Sequence, residues 1–167
     1  MDFAFAQGEI CFFGGYMTVA FLGHSAYTAG AGDEEKLLAI LTEKIGDEPA
    51  ELLFGGSGAF DSFALYCAKK YQQAHPNVKL VLVPPERIEV GHKDAKEHSV
   101  SVYDEVLYPK IKEKPARYAI SYRNKWMVER SDLVIMYITH KSTVAHQAYR
   151  CAQRKKKPIF NIGKIEY

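Results

Sequence analysis

The sequence predicts an α/β fold: a Rossmann-like three-layer sandwich with a mainly parallel sheet and helices on both faces. Three observations predict it. Short apolar runs such as "TVAFLG", "ELLF", "KLVLV", "DLVIMYI" and "PIFNI" lack polar alternation, as strands buried on both faces do. Stretches with helical spacing of apolar residues stand between them, which is the pattern of βα units and a parallel sheet. Glycines gather directly after two of the runs, where such sheets receive ligands.

The first sixteen residues, "MDFAFAQGEICFFGGY", are apolar but carry Asp2 and Glu9 and no basic leading region. They make a poor signal peptide. Residues 1–16 are expected to be an N-terminal extension, and 17–167 a single domain. The first strand covers 18–23. After the "AGAG" loop, Asp33 is placed to cap a helix running to about Lys44, with Leu37, Leu38, Leu41 and Ile45 on one side. Acidic residues crowd its start, and Gly46 can close it. A second strand covers 51–54 and a second helix 59–74. The third strand, 79–83, stops at Pro84-Pro85.

Residues 86–116 read as a polar loop or lid containing His92 and His98, with a short strand at "EVLYP". A helix follows over 121–130, then the strand 132–138. The helix opened by "STVAHQAYR" comes next, and a last strand spans 158–162. The "RKKK" run at 154–157 complements the last helix's C-terminal dipole and is too short to argue for nucleic-acid binding.

Hydrophobic residues make up 47% of the 167-residue chain, enough for a core without staples, and the net charge of +2 demands no polyanionic partner. Cys11, Cys67 and Cys151 have no CxxC spacing, which fits reduced thiols in the cytoplasm better than a disulfide frame or a zinc site. No apolar stretch approaches the ~18 residues of a membrane span. His92 and His98 match no metal-ligand motif, and no cofactor fingerprint is present.

The chemistry gathers at "LLFGGSGAFDSFAL". Glycines at a helix mouth expose backbone N–H groups beside the positive end of a dipole, and phosphate is the natural occupant. Asp61, in the first turn, would repel a phosphate placed too near, but could accept bonds from ribose hydroxyls or a base. The spacing is neither the Walker motif nor GxGxxG. A plain strand-to-helix turn with Asp61 as an N-terminal charge is an equal reading of these residues.

Together with "RNKWMVERSDLVIMYITHKSTVAHQAYRCAQRKKKPIFNIG" at 123–163, that segment resembles the SLOG superfamily, which takes in the DNA-processing protein A (Smf) domains and the LOG phosphoribohydrolases. The resemblance runs from Thr18 to Gly163 and is nearest the small stand-alone bacterial and phage-type members. It implies a nucleotide or nucleotide-derived ligand held over the strand ends, by a sensor or binding module that assembles as a homodimer. Gly55, Gly56, Ser57 and Gly58 match the first phosphate- and sugar-binding turn, and Asp61 the aspartate of the GxD pattern. Arg123 falls on the arginine of the LOG "RKxxM" pattern, with Asn124 beside it and Met127 on its methionine. Ser142 and Thr143 fall on the "GT" of the second phosphate-binding turn, PGGxGTxxE. The paired glycines of that turn are missing, and the catalytic glutamate falls at His146. LOG-like cleavage of the N-glycosidic bond of nucleoside monophosphates, with Arg123 as candidate catalytic residue, is therefore the alternative, and single-stranded DNA binding a weaker one.

The remaining candidates have two readings each. Arg123 can clamp a phosphate bidentately or form a surface salt bridge. Gly23-His24 ends the first strand, so His24 can touch the ligand or cap the turn. Ser142 and Thr143 can cap the helix and hold phosphate at the same place. Trp126 can pack on the sheet or flank a base.

Overall fold

The computed structural model describes residues 16–85, 100–109 and 115–166. All of the expected extension but Tyr16 lies outside these residues, as do Cys11, His92 and His98. In chain order the elements are β1 (Met17–Gly23), α1 (Asp33–Lys44), β2 (Ala50–Phe54), α2 (Ala59–Ala74), β3 (Val78–Leu82), β4 (Glu105–Val106), α3 (Ala119–Arg130), β5 (Leu133–Tyr137), α4 (Val144–Arg154) and β6 (Ile159–Asn161). Every pairing is parallel, and the sheet order is β4-β3-β2-β1-β5-β6. The chain builds outward from β1 to β4, then returns to lay β5 and β6 on the other side. That reversal opens a crevice beyond the carboxyl ends of β1 and β5.

The unbroken apolar runs follow from burial on both faces. Val19 and Phe21 of β1 enter one cluster with Leu37 and Leu41 of α1 and Phe60, Ala64, Cys67 and Ala68 of α2. Ala20 and Leu22 point the other way, to Met127 and Val128 of α3 and Ala145, Ala148, Cys151 and Ala152 of α4. Each large apolar side chain so enclosed stabilises the fold by ~1.5–3 kcal/mol. Cys67 and Cys151 are buried free thiols. Trp126 packs against the α3–α4 cluster.

Most strand ends shift by a residue from the sequence reading, and two helix starts differ from it. Asp33 is not the cap of α1. Gly32 takes that place at φ 84°, and the Asp33 carboxylate turns back to accept the Gly30 N–H (2.9 Å) and the Tyr27 hydroxyl (2.7 Å). A carboxylate with two local donors binds the preceding loop instead of the helix mouth. α3 starts at Ala119, two residues early, because a 3₁₀ turn at Ala116–Tyr118 leads into it. Gly46 does close α1, at φ 58° with its N–H on the Thr42 carbonyl. No helix among the described residues is long and apolar enough to cross a membrane.

Candidate functional site

The crevice holds a cavity of about 320 Å³. Its wall comes from the end of β1, the loops after β1, β2 and β5, and the first turns of α2, α3 and α4. Of the candidates, Gly23, His24, Gly55, Ser57, Asp61, Arg123, Asn124 and Thr143 line it. Gly56, Gly58 and Ser142 do not. Segments distant in sequence, around Ser57 and Thr143, therefore face one hollow.

The glycine turn is already occupied from within. The Asp61 carboxylate accepts the N–H groups of Gly55 (3.2 Å) and Gly56 (2.7 Å). Asp61 is buried, and burial raises its pKa to about 6, although bonds from Gly56, Gly55 and Ser57 and the nearby Arg123 charge pull the other way. A phosphate on the Gly55 and Gly56 amides would have to displace this carboxylate. Gly58 is fixed by its backbone: φ 92° and ψ 161° form a region nearly exclusive to glycine. A β-carbon there would also stand 2.9 Å from Ser25 Cα. Gly58→Ala is expected to cost about 1–3 kcal/mol, read as a lower urea midpoint with unchanged slope.

Arg123 is only 3% exposed. Its Nη1 donates to the Gly55 carbonyl (2.7 Å) and the Val83 carbonyl (3.2 Å), and its Nε to Asn124 Oδ1 (2.9 Å). The guanidinium thus ties the ends of β2 and β3 to α3. It lies so close to the turn that a β-carbon on Gly55 would be 2.7 Å from Arg123 Cζ. Neither Arg123 Nη2 nor Asn124 Nδ2 has a partner among the described residues. No buried side-chain nitrogen or oxygen among them is sealed from solvent without a partner, and both residues line the cavity.

In the loop after β5, Thr143 Oγ1 accepts the His146 N–H (3.0 Å) and caps α4. Val144 and Ala145, whose N–H groups precede the first intrahelical bonds of α4, line the cavity. Ser142 is exposed at φ 66° and shapes the turn without facing the hollow. His146 does not line it either. The sequence reading did not single out His140, Ser25, Ile120 or Val144 as cavity residues. Nothing in the spacing of "THKST" marks His140, which reaches the site by stacking on His24 at 4.1 Å. Among the described residues no group of three or more His, Cys, Asp or Glu side chains could hold a metal ion.

The same architecture occurs in solved structures. DNA processing protein A from Helicobacter pylori, whose structure concerns a single-stranded DNA binding mode, superposes with a TM-score of 0.61 at 18% identity, over 86% of this chain and 63% of that one. The chain therefore spans less than two thirds of that protein. The shared fold is the Rossmann-like α/β fold with an all-parallel six-stranded sheet. A molybdenum cofactor binding protein from Rippkaea orientalis shares this fold with a TM-score of 0.53 at 17% identity, over 86% of this chain and 74% of that one. The molybdenum cofactor carrier protein from Chlamydomonas reinhardtii does so with 0.50 at 15%, over the same shares. No protein-family model and no curated protein sequence matches the chain.

Proposed function

We propose that this chain is a SLOG-type sensor or binding module that takes a nucleotide or nucleotide-derived small molecule into the cavity at the ends of β1 and β5. One observation carries the reading. The buried residues Arg123 and Asn124 line a cavity that Val144 and Ala145 of the first turn of α4 also line, and Arg123 Nη2 and Asn124 Nδ2 have no partner among the described residues. Donors left unmatched in a desolvated site are costly, and an anionic acceptor satisfies them. Phosphate is assigned to the α4 end, since Asp61 holds the amides of Gly55 and Gly56. A volume of about 320 Å³ is at the small end of the ~300–1,000 Å³ typical of ligand sites, which suits a mononucleotide better than a dinucleotide. The exposed apolar side chains of Ile120 and Val144 at its mouth support a homodimer formed over this face, which sedimentation velocity measures.

Thermal shift and titration calorimetry with adenosine monophosphate, ADP-ribose, a cyclic nucleotide and inorganic phosphate test the reading. A probe at 100 times its Kd is expected to add about 2.7 kcal/mol of apparent stability. Chromatography of the same mixtures for free base separates a binding module from a phosphoribohydrolase. Salt-dependent retardation of an oligo(dT) strand reports the single-stranded DNA alternative. A protein that binds none of the small-molecule probes but retards oligo(dT) would replace the first reading with the last.

A further inference from the structure

His24 directly follows β1 and continues its ladder, its N–H donating to the Tyr137 carbonyl (3.2 Å). The residue is 5% exposed. Its ring meets the Tyr137 ring edge-on at 6.1 Å and stacks on His140. The Thr139 N–H donates to His24 Nε2 at 2.9 Å. A ring nitrogen that accepts an amide proton cannot carry one of its own. The neutral imidazole must then hold its proton on Nδ1. Nδ1 has no partner among the described residues, yet none of their buried side-chain nitrogens is sealed without one. The residue is nearly enclosed and lines the cavity.

We propose that His24 is a specificity-determining donor of fixed tautomer, whose Nδ1–H faces the cavity and selects ligands that place a hydrogen-bond acceptor there. This rests on the ligand-binding reading above but assigns a different contact. Arg123 and the α4 amides recognise negative charge, whereas a neutral N–H recognises a lone pair: a carbonyl oxygen, a ring nitrogen or a phosphoryl oxygen. A ligand offering an N–H or ammonium at that point meets donor against donor. The selection is strict because the ring cannot exchange tautomers without giving up the Thr139 bond. The surroundings also oppose a charged ring: burial first, then His140 and His146 lower the tendency of His24 to take a second proton.

Two measurements test this. Long-range ¹H–¹⁵N spectra of the labelled full chain at pH 7.5, with the His24 signals assigned by their loss in His24→Asn, are expected to show a protonated Nδ1 and an unprotonated Nε2. An Nε2-protonated or averaged ring overturns the assignment. Calorimetry with adenosine monophosphate then compares two variants. His24→Asn can place an amide N–H near the Nδ1 position but cannot reach Thr139. His24→Gln extends its amide toward Thr139 and leaves the Nδ1 position empty. The Asn variant is expected to bind at least tenfold more tightly than the Gln variant. Equal affinities, or tighter binding by Gln, overturn the donor role. Wild type that binds none of the nucleotide probes sinks the nucleotide reading, while the spectra still decide the tautomer.

Discussion

Replacing Arg123 with methionine is expected to weaken binding of adenosine monophosphate by 100-fold or more and to lower stability by about 3 kcal/mol, roughly what loss of one partner in a buried charged network costs. The two effects have different origins in one side chain. Stability falls because the Gly55 and Val83 carbonyls and Asn124 Oδ1 lose their donors, and because buried Asp61 loses the positive charge beside it. Binding falls because Nη2, the group without a partner among the described residues, is the one left for the ligand. Arg123→Lys separates them. It keeps the charge but has a single nitrogen, which cannot hold the strand ends and face the cavity together. The lysine variant should therefore recover part of the stability or part of the affinity, not both. Urea unfolding and calorimetry on the same preparations measure the two. Wild-type affinity in a folded methionine variant would remove Arg123 from the site.

The layout of the sheet was legible because burial on both faces leaves a simple trace. A strand enclosed by helices has no polar position to interrupt it, so "TVAFLG" and "DLVIMYI" could be read without knowing their neighbours. That parallel order also placed the site at the strand ends, where Gly23, Gly55 and Arg123 do meet. Roles at the site were less legible, for a physical reason. The sequence places an acid near a glycine turn but does not say which of two partners the turn prefers. In the fold, Asp61 reaches back and takes the amides that a phosphate would use. Arg123 similarly looked like a clamp or a surface salt bridge, whereas two of its three bonds hold backbone carbonyls in the interior. Asp33 shows the same ambiguity on a smaller scale, bonding backward to Gly30 and Tyr27 instead of forward into α1. Short polar side chains beside flexible backbone have several local partners, and only the path of the chain chooses among them. His140 left no trace because its place depends on stacking against a residue on another strand end.

Asp61 gives the second large effect, and its sign distinguishes two opposed forces. Three backbone amides and a neighbouring guanidinium favour the carboxylate, but burial disfavours it more, and the pKa rises from 3.8 to about 6. The folded protein then holds a proton that the unfolded chain has released between these values. The stability from Asp61 is full below pH ~4 and is lost as pH rises through about 6, up to about 3 kcal/mol for a shift of this size. Asp61→Asn cannot ionise, so the difference in unfolding free energy, wild type minus variant, should fall by about 2 kcal/mol between pH 4 and pH 7. The histidines are common to both proteins and cancel. Parallel curves, or a difference that grows with pH, would mean that the amides and Arg123 outweigh burial. The same balance reaches the ligand. A phosphate entering the cavity brings negative charge toward Asp61 and raises its pKa further, so binding near pH 6 to 7 should take up a proton. Calorimetry in buffers of different ionisation enthalpy measures the net proton exchange, to which the phosphate's own second ionisation also contributes, and Asp61→Asn should take away the Asp61 share of the uptake while leaving the anion with one repulsive charge fewer to face.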